Sequence, residues 1–155
     1  MMDPRRTNWV VEAFAEALSH AVLGLLSEWW RLNPPYLHWA YVYNFSLWSK
    51  RKIDQRLKNF DPELLEALRR RNWQAVTAYL GQQRAKLESD PYDRALNTLC
   101  AVRLMAEPIP WPEVHGLASV TTPPPLGDDD FKFNMQLDHA KLSDSMKRLL
   151  LRLGL

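Results

Sequence analysis

Four histidines, one cysteine and a run of three aspartates are the residues of this chain best suited to bind a metal or move a proton. His20, His38, His115 and His139 have no mutual spacing of three or four, so no pair shares a helix face as a two-histidine metal site requires. His139 stands beside Asp138 and follows Asp128, Asp129 and Asp130. Three adjacent carboxylates converge on one ion only within a shaped loop, so a solvated acidic turn is expected there. His20 and His38 lie in aromatic helical segments and read as hydrogen-bonded packing residues. Cys100 falls mid-helix among apolar residues, where a free thiol behaves as a small hydrophobe. A lone cysteine excludes an intramolecular disulfide and any zinc site with two thiolates, and it favours a reducing, cytoplasmic location. Five glycines without a cluster offer no loop to cradle phosphate. No catalytic residue, metal or cofactor is expected, and the chain reads as non-enzymatic.

Charge and ring faces are the other chemical resource. Lys50, Arg51, Lys52, Arg56 and Lys58 are expected to point outward from one helix end, with Tyr43 and Trp48 just upstream and Arg69, Arg70 and Arg71 shortly after. Cations for phosphates and rings for stacking are what binding to a nucleic-acid strand uses. From Phe45 to Ala75 eight basic residues oppose four acidic ones, whereas from Glu107 to Asp138 six acidic residues oppose one lysine. The whole-chain net charge of +2 speaks for no partner. No helix-turn-helix, RNA-recognition or zinc-finger signature supports the basic cluster. Its plain alternative is a solvated helix end, with Arg69 to Arg71 complementing a helix C-terminus.

Between Glu28 and Arg56 lie four of the seven tryptophans and three of the five tyrosines. Each large ring buries roughly 150–250 Å², so one helix face cannot hide Trp29, Trp30, Tyr36, Trp39, Tyr41, Tyr43, Phe45 and Trp48 together. Part of that surface is expected in a crowded core and part in an interface. Farther on, Phe131, Phe133, Met135 and Leu137 alternate with polar residues, a strand pattern. No second alternating segment exists to pair with it, so water, a short irregular segment or another molecule must satisfy its backbone. Trp39, Tyr43, Trp48, Phe131, Phe133 and Met135 are therefore the candidate partner-binding residues.

The elements that position these residues follow from periodicity and punctuation. A first helix, capped by Thr7 or Asn8, carries Val10, Phe14, Ala17, Leu18, Ala21, Val22, Leu25 and Trp29 in helical rhythm to about Leu32. It is long enough to span a bilayer, but Glu12, Glu16, His20 and Glu28 interrupt it, and a soluble helix without a membrane span is expected. Asn33-Pro34, Asp61-Pro62 and Asp90-Pro91 each combine a capping side chain with proline at a first helical position. They open helices from Pro35 to about Lys58, from Asp61 to the arginine run, and through Leu96, Leu99 and Met105. Between the last two, Asn72 caps a helix through Trp73, Val76, Leu80 and Leu87 that has Gly81 inside it. Prolines from Pro108 to Pro125 exclude regular structure and predict an extended strap. Asp138 is expected to cap a last helix, which Gly154 stops.

At 155 residues the chain is one domain's worth, able to bury about two-thirds of its unfolded surface. The predicted fold is a single all-α bundle of five or six helices. Residues 1–107 form the helical core, 108–130 a Pro-rich strap and acidic turn, and 131–155 an extended segment with a C-terminal helix packed on the same domain or on a partner. The predicted function is protein–protein interaction, as an adaptor, assembly factor or accessory subunit with a protein partner or as a homo-oligomer. The alternative is nucleic-acid binding through the basic helix.

Overall fold

The protein is an all-α bundle. The computed structural model describes residues 8–33, 44–114, 121–122, 132–133 and 142–155. Among them α1 (Asn8–Leu32), α2 (Asn44–Leu57), α3 (Pro62–Arg69), α4 (Trp73–Gln82), α5 (Arg84–Ser89), α6 (Arg94–Met105), α7 (Trp111–Val114) and α8 (Asp144–Leu151) are helical. A two-residue antiparallel bridge pairs Thr121 with Phe133 and Thr122 with Lys132. The alternating segment thus finds a short irregular partner within the chain at Lys132 and Phe133, while Phe131 and residues 134–137 lie outside the described residues.

Local chemistry sets the helix boundaries. The Asp61 side chain accepts the Leu64 amide at the start of α3, with Pro62 as first helical residue, and Asn72 accepts the Ala75 amide at the start of α4. For α6 the expected cap moves three residues on. Asp93, not Asp90, accepts the amides of both Ala95 and Leu96, while Pro91 is buried and its carbonyl accepts the Asn97 amide group at 2.8 Å. One carboxylate that reaches two orphan amides outcompetes an upstream one. The single helix expected through Leu87 is divided at Gln83 into α4 and α5, directly after the weak Gly81 position. Ser143 caps α8 through the Met146 amide; Asp138, the expected cap, lies outside the described residues.

Core packing centres on α6, whose Leu96, Leu99, Cys100, Ala101 and Leu104 are all buried. α1 and α2 lie on it, α4 packs alongside, and α8 contributes Met146, Leu149 and Leu150 to the same cluster. Burial pushes the Cys100 thiol up to about 12. Thr77 of α4 donates to the Arg152 carbonyl at 3.1 Å, and the Arg152 guanidinium donates to the carbonyls of Leu104, Glu107 and Pro108. The C-terminal segment is therefore latched to the middle of α4 and the end of α6. Of the two placements open to the C-terminal helix, on the same domain or on a partner, the buried Met146, Leu149 and Leu150 make α8 part of this core.

Among the described residues two positions hold left-handed backbone. At the end of α3, Asn72 N–H bonds the Ala67 carbonyl and Arg71 N–H the Leu68 carbonyl, with Arg71 at φ 54°. Gly154 plays the same part after α8 at φ 77°, and a Cβ there would lie 3.1 Å from Gly81 Cα. Both turns have the Schellman pattern, which favours glycine at the left-handed residue. Arg71→Gly is expected to raise stability by up to ~1 kcal/mol by removing left-handed strain. Gly154→Ala is expected to lower it by ~1–2 kcal/mol through strain and the Gly81 contact. Urea unfolding of both variants gives the two signs; the same sign for both would contradict this account.

Candidate protein-docking face

α1 is apolar on two sides. Trp9, Val10, Ala13, Phe14 and Ala17 enter the core, and His20 and Ser27 continue that face toward α2. On the far side Val11, Ala15, Leu18, Val22, Leu25, Trp29 and Leu32 are all exposed. Leu25 is 71% accessible, Leu32 63% and Trp29 58%. Successive members are four, three, four, three, four and three residues apart, the heptad spacing of a helix–helix seam. The helical rhythm of the sequence groups Leu18, Val22, Leu25 and Trp29 with Val10 and Phe14 without separating the two sides. In the structure these are two faces: Val10 and Phe14 are buried, whereas Leu18, Val22, Leu25 and Trp29 are exposed.

A polar network fixes which side of α1 turns inward. Glu16 accepts hydrogen bonds from Arg56, from His20 Nε2 at 3.0 Å and from Thr98 at 3.2 Å. Because that carboxylate can only accept, His20 Nε2 carries a proton. In a neutral ring Nδ1 then accepts the Ser49 hydroxyl at 2.6 Å. The two helices run antiparallel, with Ser27 donating to Ser46 at the opposite end and Trp30 meeting Phe45 edge-on at 4.8 Å. Turning α1 about its axis would strand this buried set, so the seven outer residues are held outward.

The Ser49–His20–Glu16 chain has the composition of a hydrolase triad, yet its exposed end is the wrong one. A polar cavity of about 420 Å³ between α1, α2 and α6 is lined by Glu12, Glu16, Arg56, Tyr92, Arg94 and Asn97. It meets the carboxylate, whereas the Ser49 hydroxyl is buried between helices and lines neither this cavity nor the one below. The arrangement can clamp α1 to α2 and α6, and its serine faces neither of the two described cavities. A second, more open cleft of about 550 Å³ has Arg103, Arg148, Arg152 and Glu107 along it. Glu107 Oε1 accepts Arg103 at 3.0 Å and its Oε2 lies 3.4 Å from Arg152, so the carboxylate is shared between two guanidiniums. Among the described residues no group of three or more His, Cys, Asp or Glu is placed to hold a metal.

Of the candidate partner-binding residues, Trp48 is half exposed on α2, with the Lys52 ammonium 5.7 Å above its ring. Trp39, Tyr43, Phe131 and Met135 lie outside the described residues, and Phe133 is described by its backbone alone. Lys50, Arg51 and Lys58 are solvent-facing as expected. Arg56 is not: expected outward, it turns in because Glu16 and Thr98 offer partners across the helix interface. Arg69 and Arg70 are exposed but both pair with Glu66, and the hydrogen bond from Arg70 holds the Glu66 carboxyl below its usual range. Arg71 is exposed at the left-handed turn. The basic track is accordingly shorter than its count of cations suggests.

No protein-family model, characterised protein or solved structure is significantly similar to this chain. The most extended apolar surface among the described residues is the outer face of α1, whose residues the helical rhythm of the sequence does not separate from the inner ones. The signal that could have found it was the strict four-three spacing from Val11 to Leu32, which is separate from the inner series that starts at Val10. By length and composition alone, Trp9–Leu32 is also apolar enough to cross a membrane.

Proposed function

We propose that this chain is a protein–protein interaction module, an adaptor or accessory subunit that docks a helical partner against the outer face of α1. The observation that carries this reading is the row of seven exposed apolar side chains at heptad spacing on a helix whose opposite face is already committed. Leaving that surface in water costs about 25 cal/mol per Å² relative to burying it. A helix with matching knobs recovers that free energy. The work would be done by complementarity, with no bond made or broken.

A photo-crosslinking residue placed at Leu25, and separately at Lys50, in the full chain expressed in cells tests this. Position 25 is expected to give discrete protein adducts that disappear when Leu18→Lys is added. Protein adducts absent at position 25, with nucleic acid captured at position 50, would overturn the reading. The nucleic-acid alternative is supported by Trp48 standing exposed among Lys50, Arg51 and Lys52. It carries its own signature, a binding constant that falls with salt in proportion to the phosphates contacted.

A further inference from the structure

We infer that the partner for the outer face of α1 is a second copy of the same helix, making the chain a homodimer through a two-stranded coiled-coil seam. This rests on the docking reading above and names its occupant.

Three features of the face point to a second copy. The first is register. Val11, Leu18, Leu25 and Leu32 fall on one heptad position and Ala15, Val22 and Trp29 on the other, so leucine fills three of four d positions. A seam of that composition packs knobs into the holes of an identical seam, and Val22 at the central a position suits two strands. The second is area. The six large side chains expose on the order of 600 Å² per copy, at the top of the range for patches on monomeric proteins. Two such faces together approach ~1,200 Å², the lower bound of a specific interface.

Charge is the third feature. The side chains flanking the seam include Glu12, Glu28, Ser19 and Asn33, and Glu28 is bridged by Arg31 on its own helix at 2.6 Å. No lysine borders the stripe. A helix that lies on an anionic membrane surrounds its apolar face with lysine and arginine, so these borders favour another helix over lipid headgroups. The inner face is held by the Glu16, His20 and Arg56 network. The helix can therefore offer its outer side without leaving the bundle.

Sedimentation equilibrium of the full chain between about 1 and 100 µM reads the stoichiometry, and the monomer mass is 18.1 kDa. The expected result is twice that mass at the upper concentrations. The exposed-site variant Leu18→Lys/Leu25→Lys should weaken association at least 100-fold while keeping the wild-type circular dichroism spectrum. Three results would each overturn the inference: a monomer at every concentration, a dimer that survives the double substitution, or a monomer that floats with anionic phospholipid vesicles in a Leu25-dependent way. Failure of the dimer alone leaves the docking reading intact, because photo-adducts at position 25 would then have the mass of a different protein. Absence of any adduct there removes both.

Discussion

Truncation of the chain after residue 141 is expected to abolish cooperative folding. The removed segment contains Leu142, Met146, Leu149, Leu150 and Leu153, all buried. At ~1.5–3 kcal/mol for each large apolar side chain taken from water, their combined contribution is on the order of 10 kcal/mol. That is comparable to the whole stability of a domain, about 5–15 kcal/mol. The loss also strands the Leu104 and Glu107 carbonyls that the Arg152 guanidinium serves. Thermal melts followed in the far and near ultraviolet should show helical signal without a sigmoidal transition. A truncated protein that melted cooperatively within a few degrees of the full chain would show that α8 is peripheral.

A second large loss is expected from Glu16→Ala. The carboxylate is the common acceptor for Arg56, His20 and Thr98, and its removal takes the anionic partner from a guanidinium and one hydrogen-bond partner from a histidine side chain only 5% accessible. Breaking one side of such a set costs ~3 kcal/mol, most of it the penalty of the stranded cation. For a chain of this length that corresponds to a melting temperature about 6–12 °C lower. Glu16→Gln keeps the shape and one acceptor and should lose roughly half as much. Equal losses from alanine and glutamine would mean that space filling, not charge, accounts for the site.

The sequence announced the fold more clearly than the face. Helix starts at Asp61-Pro62 and Asn72 were legible because a side-chain acceptor followed by helix-compatible residues is a local signal. Asp93 was missed because two aspartates three positions apart both satisfy that signal, and only the folded chain decides which one reaches two amides. Arg56 was read as solvent-facing because periodicity cannot reveal a carboxylate forty residues upstream. The outer face of α1 was obscured for a different reason. When apolar residues occupy two sides of one helix, their combined pattern looks like a single wide stripe. Which side meets the core depends on buried polar partners such as His20 and Ser49 that pattern analysis discounts.

The burial of Cys100 gives the molecule a built-in reporter of its own opening. A thiol held to about 12 on the buried side of α6 carries almost no thiolate at neutral pH, and no reagent can approach it while the core is closed. Alkylation must wait for a fluctuation that exposes the centre of the bundle. Since the chain has no other cysteine, the rate of labelling in native buffer would follow the equilibrium population of that open state. Strengthening or weakening any contact to α6 would then be heard in a single chemical clock, without denaturant and without an added probe.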